Sequence, residues 1–211
     1  MPFHKSITIK QDTILFLWKI TESYDWFFEN AKLKEKSILR LETMKSESHR
    51  KGFLAVRMLL QNIGYSDFDL FYDEYGKPHL HDGRHISISH SNDFSAVVIS
   101  NEILGLDIEQ IKEKTLKIAP RFMEMHHLEN LEHEDKLKKA TVIWGIKESI
   151  FKIKNEKGIS FPEHIFEKPF DLKEKRATGI LKFNNKEEFF DAYFDQVENY
   201  IFVCLFEKRN E

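Results

Sequence analysis

The chain of 211 residues lacks the features of a secreted or membrane-spanning protein. It contains a single cysteine, Cys204, so no disulfide can form within it, and the apolar run 200–206 around it predicts a buried strand thiol. No stretch reaches the roughly 18 apolar residues that cross a bilayer, and residues 1–10 carry no apolar signal core. We therefore expect a cytoplasmic protein in a reducing environment, without a membrane partner.

The sequence also lacks a large excess of charge of either sign. Its 32 Lys and Arg residues nearly balance 35 Asp and Glu residues, which leaves a formal net charge of -3. A strong positive field is typical of proteins that bind nucleic acid, so no nucleic-acid partner is predicted. The hydrophobic fraction of 41%, with 19 Phe, is enough to build a core in which aromatic packing dominates.

Helical and strand patterns each occur twice along the chain. Residues 13–20 predict a strand, and residues 33–61 predict two helices, the second beginning near Ser46 and stopping near Gly64. Short apolar runs broken by turns follow from Asp69, then a long helix over 135–154, and three strands after residue 179. This order predicts an α+β fold of two similar α/β lobes, 1–102 and 103–211, with a site in the crevice between them.

Two carboxylates stand on one face of a predicted strand near the middle of the chain. In Gly105-Leu106-Asp107-Ile108-Glu109, alternation places Asp107 and Glu109 on one side and the apolar residues on the other. Like charges at this spacing repel unless a cation lies between them, and Mg²⁺ prefers carboxylate oxygens. The alternative is an edge strand with a solvated acidic face, and the pair alone does not decide between the two.

A third carboxylate, Glu148, lies on the long helix between Lys147 and Lys152. It offers a further metal ligand, but Glu148 and Lys152 also have the i,i+4 spacing of a pair that only supports an exposed helix. Gly145 lies in the middle of the same helix, where glycine costs about 0.5–1 kcal/mol relative to alanine. Its presence predicts that something approaches the backbone of the helix closely at this position.

Ser89 and His90 end a predicted strand and are plausible donors to a phosphate, although a hydrogen-bonded structural histidine is the alternative for His90. The sequence has no G-x-S-x-G elbow, so a nucleophilic serine is not expected. Lys77 lies in a Gly-Lys-Pro turn that does not match a P-loop. His126, His127 and His133 do not form a zinc-binding pattern.

The order and spacing of these features together resemble the Sfp-type 4'-phosphopantetheinyl transferases. The resemblance covers more than half of the chain, and it includes His49-Arg50, Gly76-Lys77-Pro78, Ser89-His90-Ser91, residues 105–109 and residues 144–152. It implies two similar α/β lobes in a pseudo-twofold arrangement, with coenzyme A in the cleft between them. It also implies a magnesium ion as cofactor and an apo acyl or peptidyl carrier protein as partner.

The resemblance further implies roles for individual residues. Asp107, Glu109 and Glu148 would bind Mg²⁺, which holds the coenzyme A diphosphate. Lys147 and Lys152 would lie beside the diphosphate, with Lys152 stabilising the departing charge. The nucleotide and its phosphates would be contacted by Arg50, Lys77, Ser89 and His90.

The chain departs from the family pattern at one position. Family members commonly carry an acidic residue six positions after an Arg-Phe pair such as Arg121-Phe122, and here that position is His127. A histidine can also act as a base. The residue that activates the incoming serine is therefore predicted to be Glu148, with His127 as the second candidate.

The implied reaction is attack by a carrier-protein serine on the β-phosphate of coenzyme A, with release of 3',5'-adenosine bisphosphate. The basic segments 112–117 and 136–139 are candidate docking surfaces for the carrier, and we expect a monomer. Two alternatives remain from other classes, a noncatalytic protein that binds coenzyme A or a nucleotide, and a magnesium-dependent phosphohydrolase.

Overall fold

The computed structural model describes residues 3–208, and the chain divides into two compact units between Glu102 and Ile103. Residues 1–2 and 209–211, which belong to the predicted ranges of the lobes, lie outside the described residues. Each unit contains both helices and an antiparallel sheet, so the mixed α/β class expected from the sequence is confirmed. The pseudo-twofold relation between similar lobes stays a prediction.

The N-terminal unit is built around a four-stranded sheet with the order β1-β2-β6-β5 and a separate hairpin formed by β3 and β4. Strand β6 has all seven residues buried, because it is paired on both sides. The elements of this unit are β1 (Phe3–Lys10), β2 (Thr13–Lys19), α1 (Tyr24–Asn30), α2 (Glu35–Thr43), α3 (Glu47–Asn62), β3 (Leu70–Tyr72), β4 (Pro78–Leu80), β5 (His85–Ser91) and β6 (Phe94–Ser100).

The longest helix of this unit, α3, begins and ends where its sequence predicts. Ser46 is the N-cap and its hydroxyl accepts a hydrogen bond from the His49 backbone N–H, while Gly64 follows the helix with a φ of +87°. Nine consecutive residues of α3 are buried against the sheet and the neighbouring helices. Among them, Arg57 pairs with Asp67 at 3.0 Å, so the charge in this core is compensated.

The C-terminal unit contains a five-stranded antiparallel sheet with the order β7-β11-β10-β9-β8. The buried thiol of Cys204 lies on strand β11, as predicted. No helix within residues 3–208 is long and apolar enough to span a membrane. The elements are β7 (Leu104–Gln110), α4 (Glu113–Ile118), α5 (His133–Lys154), α6 (Phe161–His164), β8 (Ile165–Glu167), β9 (Arg176–Phe183), β10 (Lys186–Val197) and β11 (Tyr200–Glu207), with short 3₁₀ turns at 119–121, 125–128 and 172–174.

Helix α5 lies directly on this sheet, and two glycines permit the close approach. A Cβ built on Gly105 of β7 would stand 2.2 Å from the backbone oxygen of Ser149 on α5. A Cβ on Gly145 of α5 would stand 2.5 Å from Cγ2 of Val203 on β11. The prediction of a close neighbour at Gly145 is therefore confirmed, and the neighbour is the sheet itself.

Five elements were absent from the sequence-based assignment. They are short or carry many polar residues, so their hydrophobic periodicity is weak: strands β1 and β8 and helices α1, α4 and α6. Helix α1 has one local signal, because the Ser23 hydroxyl accepts a hydrogen bond from the Trp26 backbone N–H.

We predict that Gly105→Ala destabilises the protein by about 1–3 kcal/mol, because the new methyl group would overlap the backbone of α5, which cannot rotate away as a side chain can. Chemical denaturation followed by circular dichroism would measure this loss. Gly179→Ala on β9 is the matched control, since its Cβ would meet the flexible end of Ile150 at 2.8 Å. Equal losses in the two variants would contradict the proposed backbone conflict.

Candidate active site

Strand β7 directs its two carboxylates to the face of the sheet that α5 covers. Asp107 pairs in register with Val203, and Glu109 pairs with Ile201. Both partners belong to the hydrophobic cluster that packs under α5, and directly paired residues project from the same face of a sheet. Asp107 is only 4% exposed, so this carboxylate is not part of a solvated acidic face.

Glu148 projects from α5 towards the same carboxylates. Burial raises its pKa to about 7, with a further contribution from the negative charges of Asp107 and Glu109. The positive charge of Lys152 opposes this shift. The electrostatic coupling of these four side chains shows that the fold brings residues about 40 positions apart into one group.

Lys152 lies one helical turn after Glu148 and connects α5 to β7. Its ammonium group donates hydrogen bonds to Oδ1 of Asp107 at 2.9 Å and to the backbone oxygen of Leu106 at 2.8 Å. Charge-assisted hydrogen bonds of this kind are roughly twice as strong as neutral ones. Lys152 therefore does more than support an exposed helix through its i,i+4 spacing with Glu148.

The chemistry of this group fits a hard divalent cation bound together with a phosphate. Asp107, Glu109 and Glu148 supply only oxygen ligands, and Lys152 adds a positive charge beside them. Within residues 3–208, no group of three or more His, Cys, Asp or Glu side chains is arranged so that it could hold a metal ion. Mg²⁺ does not need one, because it typically keeps several waters and takes one or two carboxylates plus substrate phosphates.

The structure places Lys147 and His127 in a different group from these carboxylates. The ammonium group of Lys147 lies 3.3 Å from Oε2 of Glu167 on β8, and burial lowers its pKa despite the nearby carboxylate. His127 Nε2 lies 3.4 Å from Oε1 of the same Glu167. Burial, followed by the charge of His126, lowers the pKa of His127. Lys147 was expected beside the diphosphate, but its side chain instead ends in this buried cluster.

Comparison with known proteins relates the chain to one family. The family model described as the 4'-phosphopantetheinyl transferase superfamily matches residues 103–204. The 4'-phosphopantetheinyl transferase gsp of Aneurinibacillus migulanus is 32% identical over 180 residues, which cover 77% of this chain and 73% of that relative. The chain belongs to the 4'-phosphopantetheinyl transferase family. It is therefore an enzyme of the transferase class.

Two further transferases of this family match shorter parts of the chain. The 4'-phosphopantetheinyl transferase Sfp of Bacillus subtilis is 32% identical over 128 residues, which cover 57% of its length. The 4'-phosphopantetheinyl transferase ffp of Bacillus subtilis is 31% identical over 145 residues, which cover 63% of its length. The chain thus spans less than two thirds of these two relatives. The region matched by the family model contains Asp107, Glu109, Glu148 and Lys152.

The predicted nucleotide-binding residues all lie in the N-terminal unit. His90 is exposed at the end of β5, and its ring packs beside Gly52 of α3, where a Cβ would stand 3.2 Å from the imidazole. Ser89 is 7% exposed and, by strand alternation, projects from the opposite face. These opposite orientations agree with the expectation that the two side chains do not form a nucleophile and base.

Arg50 and Lys77 occupy separate parts of this unit. The guanidinium Nε of Arg50 donates to the backbone oxygen of Met44 at 2.7 Å, and the group lies over the ring of Tyr24. The backbone of Lys77 donates to Asp73 at 2.9 Å in the turn between β3 and β4. The roles of these residues towards a nucleotide stay predictions.

Glu167 is the charged residue of this region that sequence reasoning missed. Its position in the short strand β8 next to Pro169 gives no periodic signal, and its partner Lys147 lies 20 residues earlier in the chain. The one signal in the sequence is that Glu167 directly follows the apolar residues Ile165 and Phe166, which indicates a charge at the end of a buried segment. No local spacing rule connects it with α5.

We predict that Glu148→Gln stabilises the metal-free protein increasingly as the pH rises from 5 to 8. The folded-state pKa of Glu148 is about 7, above its ordinary value of 4.5. Below pH 4.5 the carboxyl is protonated in both the folded and the unfolded protein, so its burial costs least free energy there. As the pH rises from 4.5 to about 7, the unfolded protein loses this proton more readily than the folded protein, so the folded protein becomes less stable. Melting temperatures in buffer with a chelator would show the difference between variant and wild type widening over this range. Glu134→Gln, an exposed position on the same helix, is the control and should show no such widening. A difference for Glu148→Gln that does not change with pH would contradict the raised pKa.

Proposed function

We propose that the chain transfers the 4'-phosphopantetheine group of coenzyme A to a serine of an apo acyl or peptidyl carrier protein, with Mg²⁺ as cofactor. The observation that carries this proposal is the convergence of Asp107, Glu109 and Glu148 with Lys152 within the segment matched by the family model. A group of three carboxylates and one lysine suits a diphosphate held through a divalent cation better than it suits an uncharged ligand.

In this proposal, Asp107, Glu109 and Glu148 hold the magnesium ion. The ion, when bound, neutralises charge on the diphosphate and so assists displacement at phosphorus. Asp107 also keeps Lys152 in place, because its Oδ1 accepts a hydrogen bond from the ammonium group. The protein contributes chiefly positioning and charge neutralisation, as in other phosphoryl transfers.

The reaction forms a bond between the serine oxygen of the carrier and the β-phosphorus of coenzyme A. The bond from that phosphorus to the bridging oxygen breaks, and 3',5'-adenosine bisphosphate leaves with the electron pair. Lys152 is our candidate for stabilising the charge that develops on the departing group. No covalent intermediate on the enzyme is required.

The base that removes the serine proton is proposed to be Glu148. Its carboxylate belongs to the same group as Asp107 and Lys152, whereas His127 is only 7% exposed in its side chain and contacts Glu167. A base must reach the proton that it abstracts. The positions of the two side chains therefore favour Glu148 over His127.

Further parts of the proposal concern the N-terminal unit and the partners. Binding of the nucleotide and its phosphates is assigned to Arg50, Lys77, Ser89 and His90. The carrier is expected to dock on one of the basic segments 112–117 and 136–139, the first of which overlaps α4. We propose that the enzyme acts as a cytoplasmic monomer.

The proposal predicts that the protein adds the phosphopantetheine mass to an apo carrier protein in the presence of Mg²⁺ and coenzyme A. Mass spectrometry of the carrier measures this directly. Asp107→Asn should abolish the mass gain and keep the far-ultraviolet circular dichroism of the wild type, since it preserves the size of the side chain. Absence of transfer to several carriers would reject the transferase, and release of adenosine bisphosphate without a carrier would instead indicate a phosphohydrolase.

We also predict that Lys152→Met lowers kcat by about 10²–10³-fold, the loss typical of removing one donor that stabilises developing charge. Lys154→Met is the matched control on the same helix, because Lys154 pairs with Glu188 and Glu207 rather than with Asp107. The control should keep its kcat within a factor of about two. Similar losses in both variants would contradict the assignment of Lys152.

A further inference from the structure

Lys147 and Glu167 form an ion pair inside the C-terminal unit that is almost completely shielded from solvent. Their side chains are 2% and 3% exposed, and the ammonium nitrogen lies 3.3 Å from Oε2 of Glu167. The same ammonium group donates hydrogen bonds to the backbone oxygens of Ile165 and Phe161. The side chain of Lys147 therefore connects α5 by hydrogen bonds to the segment that contains α6 and β8.

The carboxylate of Glu167 is held from a second direction by His127. Nε2 of His127 lies 3.4 Å from Oε1, while Lys147 approaches Oε2, so each carboxylate oxygen faces a different nitrogen. Oε2 of Glu167 is buried and accepts no hydrogen bond within the described residues, so its contact with Lys147 is an ion pair by distance alone. The position that Lys147 reaches is defined by this charge and by the hydrogen bonds from its ammonium group to the backbone oxygens of Ile165 and Phe161.

Lys147 precedes Glu148 on α5, and consecutive helical residues point about 100° apart. Lys147 ends at β8, whereas Glu148 is electrostatically coupled to Asp107 and Glu109 of β7. A rotation of α5 about its own axis would therefore move both side chains together. Fixing one of them also fixes the direction of the other.

We propose that the Lys147–Glu167 ion pair is a positioning element that sets the rotation of α5, so that Glu148 faces Asp107 and Glu109 during transfer. This inference rests on the proposed function, because it gives Glu148 a part in the reaction. Lys147 and Glu167 are positioning residues, since they act through Glu148. Displacement of a reacting group by about 1 Å can reduce a rate by about 10²-fold.

An apolar pair of similar size would stabilise this region about as well, because both charges lose their hydration on burial. What an apolar pair lacks is direction, since methionine and leucine contacts tolerate small rotations that a hydrogen-bonded charge does not. The double variant Lys147→Met/Glu167→Leu therefore separates stability from positioning.

We expect the double variant to melt within a few degrees of the wild type but to transfer phosphopantetheine about 10²-fold more slowly at saturating coenzyme A and carrier. The KM for coenzyme A should change by less than about threefold, because the residues assigned to the nucleotide are untouched. The rise in melting temperature caused by Mg²⁺ alone, without coenzyme A, should shrink, because Glu148 is assigned as a ligand of the ion, and this readout is independent of turnover.

Lys154→Met is the control for loss of a lysine from the same helix, and it should keep its kcat and its magnesium-dependent rise in melting temperature. Full kcat in a double variant that is folded would overturn the proposal.

If the double variant melts below the assay temperature, Glu167→Asp replaces it, because it keeps the charge and shortens the side chain by one methylene. Glu167→Asp should transfer more slowly, and an unchanged kcat would overturn the proposal. Lack of transfer by the wild type would reject the proposed function itself.

Discussion

The close approach of α5 to the sheet is the constraint on which the rest of the C-terminal unit depends. Gly105 admits the backbone of α5, and Gly145 admits Val203. A methyl group at either position would push the helix outwards, and the carboxylates of β7 and α5 would separate. Because the helix lies so close, Asp107 is 4% exposed and the pKa of Glu148 rises to about 7. The packing that excludes water here also brings negative charges together, and such an arrangement is unfavourable without a positive partner.

The positive charge around α5 is supplied by lysines of the helix itself. Lys152 contacts Asp107, Lys154 contacts Glu188 and Glu207, and Lys147 contacts Glu167. The three lysines leave the helix in different directions and each meets carboxylates on a different strand or strand pair of the unit. The helix therefore forms one side of the candidate site and also carries the lysines that neutralise acidic residues around it, of which Asp107 and Glu167 are buried. This dual use explains why a helix with many charged residues is nonetheless buried over much of its length.

Much of the fold was predictable from the sequence, but long elements were predicted better than short ones. Strands β2, β5 and β6 and helices α3 and α5 were predicted, because their apolar residues recur with a clear period and Ser46 and Gly64 mark the ends of α3. Short elements such as β8 and α4 carry too few residues to show a period. In the candidate site, the strand alternation of Asp107 and Glu109 and the helical placement of Glu148 and Lys152 were predictable from local spacing. The destination of Lys147 was not, because a side chain on a helix buried on several sides can point to any of them.

The sequence by itself determined the residue types available to the site, the faces of β7 and α5 on which they stand, and the resemblance to the transferase family. Each of these follows from local periodicity or from motifs of a few residues. Only the tertiary structure decided that Asp107 meets Lys152, that Glu148 is half-buried beside the carboxylates of β7, and that Lys147 pairs with Glu167. Those contacts join residues 20 to 45 positions apart. They depend on how closely a helix packs on a sheet, and that distance is set by glycines whose partners lie elsewhere in the chain.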